Sequence, residues 1–321
     1  MTPRENALAV INWGKPESVP IEILCYHPCL ASTGIVDQPW MGGKDMFGLD
    51  WVCTVEGPMP EPGFVLFDDI ADWRDHVVFP DLDAVDFNAI AAQELAHADR
   101  NMRLINAFSV CGIFERMIAF MGFENALCAL IDDPESCKDF FNAMADYKIK
   151  LHDKIIEAYK PDIITYFDDM ASAQAMFMSM DIYREIIKPA HKRIIDAVLS
   201  KGVIFTQHMC GKCEAILDDL VEMGVKVWSS AQPINDIVAV KEKYRGKLVV
   251  EGGWDTTGPC SWIGATVEQA IEEAQRCVRE YGPNGGFIMQ ITLMNERGNS
   301  LRVGDPRLEA ILKEWASIAV Y

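Results

Sequence analysis

The chain has 321 residues, 50% hydrophobic and 24% charged, which excludes a disordered chain, a collagen-like repeat and a small disulfide-stapled scaffold. Its 29 Lys and Arg against 48 Asp and Glu give a net charge of −19. A surface that acidic repels phosphate backbones, so nucleic acid is a poor partner, and a small molecule or a partner with a basic face is favoured.

In chain order, Thr2–Asn12 reads as a helix and Val19–Cys25 as a strand. The stretch from His27 to Pro80 is rich in Gly, Pro, Trp and Asp, a composition expected of a lid or of one wall of a site. From Arg103 onward one grammar repeats: a short β-rich run, a polar or glycine-bearing turn, then an amphipathic helix. The strands are Arg103–Val110, Pro161–Phe167, Val203–Gln207, Val225–Ser230, Lys247–Gly252 and Phe287–Ile291. The helices between and after them are Asp133–Tyr159, Asp181–Ser200 with a kink at Pro189, Glu214–Met223, Asp236–Tyr244, Thr266–Tyr281 and Pro306–Ala319. Strands alternating with helices call for a parallel sheet, and nearly continuous apolar strands call for one covered on both faces. At least six such βα units favour an α/β (β/α)8 TIM barrel with an N-terminal extension, forming one domain over residues 1–321. No glycine-rich phosphate fingerprint follows any strand, which counts against a dinucleotide-binding sheet.

No run approaches the ~20 apolar residues of a membrane span. The N-terminus lacks a basic stretch leading into an apolar core, so a cytoplasmic protein is expected. Ten cysteines are scattered along the chain and read as buried thiols of a reducing compartment, with a metal site as the alternative.

In a parallel barrel, function gathers where the strands end. The residues there are Asp168 and Asp169, then His208, Cys210 and Cys213, then Gln232 and Asn235, then Trp254, Asp255 and Cys260, and finally Asn295, Glu296 and Arg297. The sharpest local signal is His208-Met209-Cys210-Gly211-Lys212-Cys213. An imidazole and a thiolate two residues apart at a strand end make half of a tetrahedral zinc site. The alternative is a turn holding a satisfied histidine and two small buried thiols. A catalytic zinc needs a third protein ligand. Cys213 is nearest in sequence, but Cys260, in a later loop on the same mouth, is preferred.

Asp168 and Asp169 suit substrate anchoring or acid/base work, and equally a helix cap with a solvated neighbour. Asp255 carries the same two readings. Met178 belongs to a methionine cluster with Met170, Met176 and Met180, which reads as core filling or as a soft wall for a flat aromatic or corrin-like ligand. Trp51, Phe177 and Trp254 would supply aromatic surface near the mouth.

Several long segments carry a resemblance. TPRENALAVINWGKPESVPIEI, GIFERMIAFMGFENALCALIDDPESCKDFF, YFDDMASAQAMFMSMDIYREIIKP, QHMCGKCEAILDDLVEMGVKVWS and KLVVEGGWDT resemble, in order, the successive segments of the uroporphyrinogen decarboxylase superfamily. The resemblance covers nearly the whole chain and implies a (β/α)8 barrel. The decarboxylases of that superfamily use an arginine-rich N-terminal loop to hold a polycarboxylate. The matching stretch here, LCYHPCLASTG, has no arginine, and Arg297 and Arg302 are the nearby candidates.

The other branch, corrinoid-dependent and thiol methyltransferases, binds zinc through His-x-Cys and a distant cysteine. His208 and Cys210 match the first part. The segment after the last strand, FIMQITLMNERG, has no cysteine, so either Cys260 substitutes or the site is remodelled for a methyl donor that is not a thiol. The resemblance thus implies a zinc-dependent methyltransferase that moves a methyl group between a small donor, an aromatic methyl ether among the candidates, and the cobalt of a separate corrinoid protein. His208, Cys210 and Cys260 would hold the metal, Asp168, Asp169 and Asp255 would manage substrate and proton, and Trp254, Met178 and Asn295 would line the pocket. The competing expectations are a metal-free decarboxylase and a non-catalytic small-ligand-binding barrel. Barrels of this type often pair, so a homodimer is compatible with the sequence.

Overall fold

The computed structural model describes residues 1–32, 36–54, 57–295, 298–299 and 304–320, with no side-chain detail at 295, 298 and 299. Seven parallel strands run in sheet order β1 (Tyr26–Cys29), β2 (Leu104–Ser109), β3 (Ile163–Phe167), β4 (Ile204–His208), β5 (Val227–Ala231), β6 (Val249–Gly253) and β7 (Phe287–Gln290). Sheet order equals chain order, as successive right-handed βα crossovers require.

The sheet is strongly curled. In a flat sheet β1 and β6, five strands apart, would lie about 24 Å from each other. Here the Tyr26 hydroxyl on β1 donates to Glu251 Oε2 on β6 at 2.8 Å. The far edge meets the chain just before β1, where Met289 N–H donates to the carbonyl of Pro20 at 2.9 Å and Ile21 forms a parallel bridge with Met289.

Register sorts the side chains into two faces. Tyr26, Leu104, Ile163, Val227, Val249 and Ile288 share the inner face and cluster with Ala7, Val10 and Ile11 of the helix Pro3–Ile11, which plugs the strands' N-terminal end. One step up the inner face turns polar: Asn106, Thr165, Thr206, Ser229 and Glu251 are all buried. One step higher stand Phe108, Phe167 and His208, at the strands' C-terminal mouth. The outward residues pack beneath the helices. The longest of these, Pro134–Tyr159, is capped by the Asp133 side chain and started by proline.

The helices agree with the expected ones to within a few residues. The exception in type is Val19–Cys25, expected as a strand: only Ile21 bridges, Glu22–Cys25 is a helical turn, and the strand begins at Tyr26. A short, mostly apolar run is compatible with either conformation, and the turn is what re-aims the chain into β1. The expected kink at Pro189 is a π turn over Tyr183–Ile187, immediately before the helix Lys188–Ser200.

The irregular N-terminal stretch forms a small antiparallel sheet of Gly43–Lys44, Asp50–Thr54 and Gly57–Pro60. A wholly buried charge cluster holds this wall to the barrel. Arg116 donates to Asp37 at 2.8 Å and to Asp45 at 2.6 Å, and Lys148 donates to Asp37 at 2.8 Å. Trp51 Nε1 also donates to Asp45, at 2.9 Å. Among the described residues, no helix is long and apolar enough to cross a membrane.

Candidate metal and catalytic site

Three donor side chains meet at the mouth. Asp169 follows β3, His208 ends β4, and Cys210 lies two residues beyond; their ligand atoms all fall within 4.8 Å of one another. The loop from Met209 to Cys213 holds this geometry. The backbone N–H of Cys210 donates to Asp169 Oδ1 at 2.8 Å, which ties the two ligand-bearing turns together. Gly211 N–H donates to Gln232 Oε1 at 2.9 Å. Asn235 accepts from Cys213 N–H at 2.9 Å and donates to the Gly211 carbonyl at 3.0 Å. Gly211 sits at φ +90°, and a β-carbon there would stand 2.6 Å from the Ala171 carbonyl oxygen, so the loop requires glycine.

His208 stacks on Phe167, with ring centroids 4.1 Å apart. Its Nε2 lies 3.5 Å from Cys210 Sγ and its Nδ1 lies 3.5 Å from Ser229 Oγ. In a tetrahedral site with bonds of about 2.05 Å to nitrogen and 2.3 Å to sulfur, those two donors stand about 3.6 Å apart. The observed spacing therefore fits a shared cation.

Burial governs the charge state. It lowers His208 to about 3 and lifts the Cys210 thiol well above its ordinary range, with the neighbouring Asp169 adding to the latter. Asp169 is raised to about 6 by burial, against the pull of the Cys210 hydrogen bond, with the Asp168 charge adding to the rise. Glu115, on the first turn of the helix Ile113–Met121, is raised well above the carboxylate range by burial and by Asp169 and Asp168. The Asp169 carboxyl and the Cys210 thiol thus disfavour each other's charged forms, and a divalent cation between them would reverse that repulsion.

Other expected site residues lie elsewhere. Asp168 is fully buried and wholly engaged: it accepts from Phe114 N–H at 3.2 Å, Glu115 N–H at 2.9 Å and His191 Nε2 at 2.8 Å. It closes the N-terminus of the helix Ile113–Met121 instead of facing the mouth. Asp255 folds back on its own loop, accepting from Thr257 and Gly258 N–H. Cys260 is not brought into the ligand group; its thiol donates to the Asp255 carbonyl at 3.4 Å. Cys213 is buried against the carbonyls of Met209, Cys210 and Gly211. Trp254 is buried with its Nε1 donating to Ser261 Oγ at 2.7 Å, and Met178 is buried in the core. Asn295 pairs through its backbone with Gly298, while its side chain lies outside the described residues, as do Glu296, Arg297 and Arg302.

Glu115 is the residue that sequence reasoning missed. It stands six residues beyond β2, on the helix Ile113–Met121, in a segment that the sequence marks only through its family resemblance. The rule that singled out Asp168 and Asp169, a carboxyl group just past a strand end, would have found it had the search extended one helical turn.

The comparisons with known proteins agree with this architecture. A methylated-thiol–coenzyme M methyltransferase of Methanosarcina mazei is 28% identical over 108 residues, which is 34% of this chain and 28% of that relative's length. The match therefore spans under a third of that protein. A solved methyltransferase from Methanosarcina mazei superposes with a TM-score of 0.70 over 99% of each chain, at 13% sequence identity, which shows a shared fold. The profile of uroporphyrinogen decarboxylase (URO-D) matches residues 54–292, from the antiparallel wall through the last strand, and with more than half of its sequence so matched the chain belongs to that family.

Proposed function

We propose that the protein is a metal-dependent methyltransferase, built on a (β/α)8-type barrel in which the Pro20–Ile21 stretch takes the eighth strand's place. The observation that carries the proposal is the convergence of Asp169, His208 and Cys210 at the mouth. The methyltransferase names of the sequence relative and of the structural neighbour support it. One nitrogen, one sulfur and one oxygen donor suit zinc, with a fourth position open to substrate.

Zinc so held would supply Lewis acidity to the heteroatom of a methyl donor or acceptor. The chain's own groups do the rest. Cys210 and Asp169 contribute the negative charge that balances the cation. Glu115, whose carboxyl is pushed toward its protonated form by burial and by Asp169 and Asp168, would give a proton to the departing heteroatom. Phe167 and Phe177 offer aromatic surface to the donor. The other methyl carrier is the cobalt of a corrinoid borne by a separate protein, and the donor is a small methylated thiol or methyl ether.

Anaerobic incubation with cob(I)alamin and a panel of methylated thiols and aromatic methyl ethers tests this reading. Formation of methylcobalamin, followed by absorbance and abolished in Cys210→Ala, is the expected result. Absence of methyl transfer in either direction, together with metal-independent loss of carbon dioxide from a carboxylated substrate, would overturn it in favour of a decarboxylase.

A further inference from the structure

His208 has two ring nitrogens, and they face different neighbours. Nε2 faces Cys210, whereas Nδ1 faces Ser229 Oγ at 3.5 Å, at the long end of hydrogen bonding. Ser229 is the register partner of His208 on β5 and shares the barrel's inner face. Deeper on that face lies Glu251, on β6. Ser229 and Glu251 follow the paired residues Trp228 and Val250 on β5 and β6, the Ser229 hydroxyl opposes the burial that raises the Glu251 carboxyl, and the Tyr26 hydroxyl donates to Glu251 Oε2 at 2.8 Å. Ser229 and Glu251 are both buried, at 1% and 3% exposure, so protein groups rather than bulk water decide their hydrogen bonding.

A count of donors fixes the direction of the chain. An ionised carboxylate can only accept, and a serine has one proton to give. Tyr26 gives its proton to Glu251. A Ser229 proton turned to the same carboxylate leaves the Ser229 oxygen as an acceptor toward Nδ1. The imidazole then carries its proton on Nδ1, and its lone pair is on Nε2, directed at Cys210. We propose that Glu251, acting through Ser229, locks His208 in the Nδ1–H tautomer and thereby presents Nε2 to the metal, which makes Ser229 and Glu251 positioning residues of the site. The proposal rests on the metal-site reading, but the tautomer is a property of the metal-free protein and can be read independently.

The experiment is 15N NMR of metal-free protein labelled at histidine, at pH 8, with the His208 signals identified by their loss in His208→Gln. Zinc affinity is measured in parallel by competition with a chromophoric chelator. Wild type should show the Nδ1–H form. Glu251→Gln places an amide where the carboxylate was. That amide can donate to Ser229 and turn its hydroxyl toward Nδ1, so His208 should shift to the Nε2–H form and zinc affinity should fall about 10–100-fold. Tyr26→Phe removes a donor to Glu251 but leaves the Ser229 link, and should keep the wild-type tautomer. A wild-type His208 protonated on Nε2, or a folded Glu251→Gln with unchanged tautomer and affinity, would overturn the proposal. If the tautomer moves as expected and wild type binds no zinc, the metal reading fails and the hydrogen-bond relay stands. If zinc binds and the tautomer does not move, the relay alone fails.

Discussion

The Asp168 carboxylate closes directly over Gly112: a β-carbon added to Gly112 would stand 2.2 Å from Asp168 Cγ. Glycine is therefore what lets the carboxylate reach the first N–H groups of the helix Ile113–Met121, where it takes the place of a local cap. Asp168 cannot swing aside without giving up those bonds and His191. Gly112→Ala should lower stability by about 1–3 kcal/mol, in line with overpacking of a close-fitted site. Thermal unfolding checks this, and a midpoint equal to wild type would show that Asp168 has room to move.

The buried charge cluster makes a sharper prediction. Arg116 balances Asp37 and Asp45 with no exposure on any of the three side chains. Arg116→Met leaves two buried carboxylates with Lys148 as their remaining cation, so stability should fall by about 3–5 kcal/mol. Chemical denaturation would read the loss. A change below about 1 kcal/mol, the size of a surface ion pair, would mean that the cluster does not hold the N-terminal wall.

Asn235 clamps the ligand loop from behind, bonded to Cys213 N–H and to the Gly211 carbonyl. Asn235→Ala should weaken zinc binding by about tenfold or more through misplacement of Cys210, the usual cost of losing an outer hydrogen bond. Chelator competition provides the measurement. An unchanged affinity would show that the Asp169 bond to Cys210 N–H alone sets the loop.

His152 sets a pH dependence away from the site. Its Nε2 meets Ser109 Oγ at 2.8 Å, and burial, with Lys148 adding, lowers it to about 3 from 6.5. A depressed histidine binds fewer protons folded than unfolded. Its contribution is complete above pH 6.5 and is lost as the pH falls from there toward 3. Buried carboxyl groups such as Glu251, raised to about 7, slope the other way, so the informative quantity is a difference between proteins. His152→Asn should lose less stability than wild type between pH 6.5 and pH 5. Parallel slopes would show that His152 titrates normally in the fold.

The alternation of strands and helices was legible because it is written locally, in apolar runs followed by capped amphipathic stretches such as Thr266 before Val267–Tyr281. The turn at Glu22–Cys25 was not legible, because only its fit between β7 and β1 separates it from a strand. At the site, His208 and Cys210 were legible from their spacing, although a turn rather than strand alternation joins them, since β4 ends at His208. Asp169 was legible as a carboxyl group at a strand end but not as a partner of Cys210. Its neighbour Asp168 looked equivalent in sequence, and only the third dimension turns one toward a helix and the other toward the mouth. Cys260 lies on the correct face, yet a loop's internal hydrogen bonds decide where its thiol points.

The proposed function stands or falls on whether Asp169, His208 and Cys210 hold one metal ion. Elemental analysis of protein purified without added metal, repeated on Asp169→Ala, Cys210→Ala and Cys260→Ala, tests it directly. About one zinc per chain is expected in wild type and in Cys260→Ala, as for a three-ligand site, with loss of that zinc in Asp169→Ala and Cys210→Ala. Zinc retained in Asp169→Ala but lost in Cys260→Ala, or no zinc in wild type after reconstitution, would contradict it.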